Sequence, residues 1–138
     1  MSHSSDARLS AIAAKAIKEA RYHLHHNVEW TLRLGDGTME SQQRAQAALD
    51  TLWPYIAEMF APWQDIKTLI DRQVAVASST LYQPWIDVVE QHLTAATLKI
   101  PTATKFLSTG KLGVHSEHLD YLLTEMQVLH RAHPGAVW

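Results

Sequence analysis

Apolar and small side chains recur at Leu9, Ile12, Ala13, Ala16, Ile17, Ala20, Leu24, Val28, Thr31 and Leu34. Steps of three and four place them in one stripe, which predicts a helix from Ala7 to Leu34. At 1.5 Å per residue it is about 40 Å long. Lys15, Lys18, Arg21, His25, Glu29 and Arg33 fall on the other faces. A rod of this length cannot bury its stripe alone, so the rest of the chain or another chain must cover it. Asp6 is placed to cap the helix, because its carboxylate can accept from amides of the first turn. The polar lead-in over residues 1–6 is expected to fray. Gly35 follows the last periodic residue, where a left-handed cap is cheap for glycine. Gly35-Asp36-Gly37 then reads as a tight turn, and so short a link makes the next helix an antiparallel neighbour.

The next stripe runs through Ala45, Ala48, Leu49, Leu52, Ile56, Met59 and Phe60, with Thr38 as N-cap and Glu40 in the first turn. Pro54 lies inside it. Proline removes one backbone bond and crowds the carbonyl four residues back, so a kink is expected near 50–54. Ala61-Pro62-Trp63-Gln64 breaks the pattern. Asp65 to Asp71 predicts a short helix with Ile66, Leu69 and Ile70 inward, and Val74 to Ala77 is irregular. Ser78 or Ser79 then caps a helix to about Leu98. Its stripe is Leu81, Trp85, Val88, Val89, His92, Leu93 and Ala96, and Ile100-Pro101 ends it. Thr102 to Val114 reads as a loop. Ser116 caps the last helix, with Glu117 in its first turn and Leu119, Leu122, Leu123, Met126, Leu129 and His130 along its stripe. Pro134-Gly135 stops it, and Trp138 is expected to dock against apolar surface. No strand alternation and no repeat occur. The pattern gives an all-α chain of four long antiparallel helices and one short one, as a single domain over 1–138.

Composition narrows the function. The 138 residues are 46% hydrophobic and 19% charged, enough for a packed core, with only five glycines and five prolines. The net charge of −2 gives no reason to expect nucleic acid or an anionic membrane as partner. There is no cysteine, so disulfides, thiolate metal sites and cysteine nucleophiles are excluded. No apolar run approaches the ~20 residues that span a bilayer. The first ten residues lack the apolar core of a signal peptide, so a cytoplasmic location is expected.

Nine histidines raise the question of metal. His23 and His26 share a face of the first helix with His25 beside them, and Glu19 precedes His23 by four. His115 and His118 bracket Glu117. Di-iron sites in helix bundles take Glu-x-x-His from facing helices. Here Glu19 is followed at that spacing by Tyr22, and the histidine comes one place late, about 100° round the helix. The ordinary alternative is a set of solvated or hydrogen-bonded imidazoles. Arg21 and Arg33 suit either an anion or a plain charged surface. Trp53, Trp63 and Trp85 suit packing or a ligand cage. Glycine-rich phosphate loops, nucleophile elbows and basic aromatic patches are all missing from the sequence.

Several stretches resemble one known family. They are Ala14 to Leu24 (AKAIKEARYHL), Arg33 to Thr38 (RLGDGT), Leu52 to Phe60 (LWPYIAEMF), Ala96 to Pro101 (ATLKIP) and Gly113 to Trp138. They look like the C subunits of the bacterial phenylacetyl-CoA epoxidase, the ring-1,2-monooxygenase of aerobic phenylacetate degradation. The likeness runs in order from about Ser5 to Trp138 and is weakest over Asp65 to Tyr82. It implies a ferritin-like all-α protein without catalytic residues or cofactor. Its implied partner is a catalytic subunit that carries the di-iron centre and binds the thioester, with a flavin and iron–sulfur reductase supplying electrons. On this resemblance Glu19, Tyr22 and His23 are vestigial di-iron positions. The likeness covers only the C-terminal half of the family chain. Of the four helices around a di-iron site it supplies the last, Ala7 to Leu34. A homodimer or higher oligomer is therefore expected. The competing expectations are a homo-oligomeric di-iron oxidase using Glu19, His23, Glu117 and His118, and a helical interaction module unrelated to phenylacetate.

Overall fold

The computed structural model describes residues 2–63, 66–102 and 110–137. Among them six α-helices follow in order: α1 (Ala7–Gly35), α2 (Met39–Leu52), α3 (Ile56–Phe60), α4 (Lys67–Asp71), α5 (Tyr82–Ala95) and α6 (His118–Ala132). Among the described residues there is no strand element, so the all-α expectation holds. The chain sorts by its contacts into two compact units, residues 1–107 and 108–138.

In the first unit Asp6 caps α1 as expected, its carboxylate accepting from the amides of Arg8 at 2.9 Å and Leu9 at 3.0 Å. The lead-in is not loose. Ser5 donates its amide to the Gln73 carbonyl at 2.9 Å and its hydroxyl to Arg72 at 2.7 Å, and the Ser4 hydroxyl reaches Val74 at 2.8 Å. The carbonyls are available because α4 ends in a left-handed turn at Gln73, φ 59°. That turn closes with Val74 N–H on Leu69 at 2.8 Å and Gln73 N–H on Ile70 at 2.8 Å, the paired bonds of a Schellman cap.

The other end of α1 corrects the reading of its glycines. Gly35 is the last helical residue, and neither Gly35 nor Gly37 has a positive φ. Gly35 is needed for close approach: an added Cβ would strike the Ala96 carbonyl and stand 2.9 Å from the Ala96 Cβ. Thr38 caps α2, accepting from Ser41 N–H at 3.1 Å. The expected kink at Pro54 becomes a full interruption. α2 stops at Leu52, Trp53–Tyr55 form one 3-10 turn, and α3 resumes the helix. The aromatic rings of that break pack together, with Phe60 5.1 Å from Trp85 and 5.2 Å from Tyr82, and Trp53 6.1 Å from Trp85. α4 begins at Lys67, after Ile66, and the expected start at Asp65 lies outside the described residues.

α5 opens through a 3-10 turn at Ser78–Leu81 and ends at Ala95, three residues before the expected Leu98. The stop is set by Thr97, which sits at φ 59°, an outlying conformation for a β-branched residue. Leu98 N–H bonds to Leu93 at 2.9 Å and Thr97 N–H to Thr94 at 3.0 Å, again a Schellman cap. Two contacts hold the strained residue: its hydroxyl donates to the Gly35 carbonyl at 2.9 Å and accepts from the Gln42 amide at 2.6 Å. One turn along α2, the Gln46 amide accepts from Lys99 N–H and donates to the Lys99 carbonyl, both at 2.8 Å. The core lies here. Leu93, Ala96 and Leu98 are buried, with Leu32, Ala45, Leu49, Trp53, Val89 and Ile100 packed on them. Ile86 is buried too, although the expected stripe omits it; Leu81 and Val88 of that stripe are exposed.

In the second unit a 3-10 turn at Gly110–Leu112 leads towards α6. α6 starts one residue later than a Ser116 cap implies, with Glu117 at the cap and no side-chain bond. Its stripe is exposed: Leu122, Met126 and Leu129 face solvent. Trp138, expected to dock, lies outside the described residues.

Candidate functional site

The uncovered face of α1 is the main unassigned surface of the first unit. Its C-terminal end, at Val28, Thr31, Leu32 and Gly35, is partly or fully buried against α2 and α5. The same face continues N-terminally through Leu24, Ala20, Ile17, Ala16 and Ala13. Residues 14–27 are all exposed. The stripe expected to be covered is therefore left open along its middle by the other described residues of the first unit. Ile17 is 40% and Leu24 52% exposed. One edge of this stretch carries Lys18, Arg21 and His25, spaced three and four apart, all exposed.

Opposite the stripe the rings stack along the helix at i, i+4. Tyr22 and His26 lie 6.3 Å apart with near-parallel planes, and His26 meets Trp30 edge-on at 6.4 Å. His23 sits 5.7 Å from Tyr22. Arg33 covers the Trp30 ring at 5.5 Å and also faces Glu29 at 3.7 Å. Arg33 is thus engaged locally, whereas Arg21 makes no ion pair among the described residues. Trp53 and Trp85 belong to the aromatic packing above, and Trp63 is exposed.

The residues weighed for metal converge only in part. Glu19 and His23 approach to 3.6 Å, both well exposed. Among the described residues no group of three or more His, Asp or Glu could hold an ion. A bundle di-iron shell takes four carboxylates and two histidines. Within α1 the element is incomplete, because Tyr22 stands where a Glu-x-x-His motif starting at Glu19 would have its histidine. No helix among the described residues is long and apolar enough to cross a membrane.

What sequence reasoning missed is the pair Gln42 and Gln46, which clamps residues 97–99, and the row Lys18, Arg21 and His25. Both are visible as i, i+3 and i, i+4 spacings, but polar side chains at helical spacing ordinarily mean only a solvated face.

A family model described as phenylacetic acid catabolic protein matches residues 1–138. A curated relative, the C subunit of the 1,2-phenylacetyl-CoA epoxidase of Escherichia coli (strain K12), is 43% identical over 135 residues. The match takes in 98% of this chain and 54% of that protein, so the chain spans about half the length of the relative.

Proposed function

The chain belongs to the phenylacetic acid catabolic protein family, and from that premise we propose that it serves as a structural, non-catalytic subunit, or a part of one, in a cytoplasmic multicomponent phenylacetyl-CoA 1,2-epoxidase. On this reading it holds no active site, metal or cofactor of its own. It packs helices against the catalytic di-iron subunit and against further copies of itself. The identity to an epoxidase C subunit along nearly the whole chain is the observation that carries the reading. Two others support it. The Glu-x-x-His element is broken at Tyr22. The exposed apolar residues Ile17 and Leu24 of α1, and Leu122, Met126 and Leu129 of α6, are the kind of surface a partner covers.

The test is co-expression with the epoxidase's catalytic subunit, with and without a polypeptide matching the remainder of the relative's length. The chain is expected to co-elute with the catalytic subunit in at least one arm. Purified alone, it should carry less than about a tenth of an iron per chain, against about two for a complete bundle site. Separate elution in both arms, or near-stoichiometric iron on the isolated chain, overturns the reading.

A further inference from the structure

We propose that the cavity between α4 and the turn before α5 is a binding site for a small uncharged phenol, one aromatic ring carrying a hydroxyl. The cavity measures about 170 Å³, and every residue lining it falls within residues 62–79. Its walls thus come from one continuous stretch of the first unit. Pro62, Trp63, Ile66, Ile70 and Ala77 supply the apolar lining. An apolar cavity of about 150 Å³ is enough for one benzene ring, so the space here admits a single ring.

The cavity is shaped before any ligand arrives. On one side the turn after α4 is closed by Val74 N–H on Leu69 and Gln73 N–H on Ile70, both at 2.8 Å. The Ser5 amide ties that turn down through the Gln73 carbonyl at 2.9 Å. On the other side the Ser78 hydroxyl donates to the Ala61 carbonyl at 3.1 Å, and Thr80 N–H bonds to the Ala77 carbonyl at 3.1 Å. A site fixed in advance loses less freedom on binding. Trp63 is 51% exposed, so a ligand ring packed against its indole takes apolar surface out of water.

The polar groups select among rings. Lys67 is the only charged residue of the lining, and its ammonium is already bonded to Asp71 at 2.8 Å. The cavity therefore offers no spare charge for a carboxylate or an amine. The Ser78 hydroxyl spends its proton on the Ala61 carbonyl, which leaves its oxygen as an acceptor. An acceptor calls for a ligand that donates. Ser79 adds a second hydroxyl to the lining. A phenolic O–H donates and stays neutral at pH 7, because its pKa is about 10.

The experiment follows the indole N–H resonances of the full isotope-labelled chain while para-fluorophenol is added at neutral pH. The chain has five tryptophans, and the resonance that Trp63→Phe removes identifies Trp63. That resonance is expected to shift most and to saturate with a Kd of about 1 mM or tighter. Fluorobenzene lacks the donor and should bind about fivefold more weakly, and benzoate, which carries a charge, at least about tenfold more weakly. Ala77→Ile fills the cavity and removes binding, while Ser78→Ala brings the phenol down to the level of fluorobenzene. Trp63→Ala changes an exposed ring and is read from the fluorine resonance of the ligand, with about a fivefold loss expected. Circular dichroism verifies that each variant keeps its helix. No shift of the Trp63 resonance at about 10 mM overturns the proposal. So does equal binding of benzoate or fluorobenzene, or a phenol affinity that neither Ala77→Ile nor Trp63→Ala lowers. Tighter binding of N-acetyltyrosinamide also overturns it, because the cavity then seats a tyrosine of another polypeptide. Co-elution and iron content are separate readouts, so this site and the subunit reading fail independently.

Discussion

Gly35→Ala drives a methyl group into the Ala96 carbonyl, and that backbone is fixed by the α5 cap. Overpacking of this kind costs about 2–3 kcal/mol, which a urea midpoint should report as a clear loss. Thr97 carries two opposed effects. Its left-handed φ costs about 1 kcal/mol or more for a β-branched residue, while its hydroxyl joins the Gly35 carbonyl to the Gln42 amide. Thr97→Ala keeps most of the strain and loses the bonds, so a loss of about 1–2 kcal/mol is expected. Thr97→Gly relieves the strain as well and should fall within about 1 kcal/mol of the parent. If glycine proves the worse of the two in equilibrium unfolding, strain is not what the hydroxyl offsets.

At the level of elements, the helices were legible and several of their ends were not. Periodicity located α1, α2, α5 and α6, and side-chain chemistry placed the caps at Asp6 and Thr38. Ends fixed by tertiary contact escaped. α5 stops at Ala95 because Thr97 is held by α1 and α2, a contact 62 residues away along the chain. Gly35 looked like a turn glycine because close backbone approach leaves no local signature. The lead-in looked loose because serine is a common loop residue, yet Ser4 and Ser5 bind carbonyls about 70 positions on. The Ser4→Ala/Ser5→Ala double variant loses both hydroxyl bonds to the Arg72 and Val74 carbonyls, one exposed and one part-buried, together about 1–2 kcal/mol. Hydrogen exchange should show it as faster opening of the first turns of α1, with α2 and α5 unchanged. Uniform loss of protection across all three helices would mean that the strap is part of the global fold.

For the molecule as a whole, the sequence made the helical class and the broken Glu-x-x-His element plain, since both depend on spacing within single helices. It could not say which stretch of the α1 stripe the chain itself covers. That depends on where α2 and α5 land, and they cover only the C-terminal end. The small buried set of Ile86, Leu93, Ala96 and Leu98 among the described residues fits a protein that completes its packing with others. The most direct measurement is size-exclusion chromatography with light scattering and iron analysis on this chain co-expressed with the epoxidase's catalytic subunit. One peak containing both chains, with iron in proportion to the catalytic subunit alone, is the expected result. Two separate peaks, or iron that follows this chain, would contradict it.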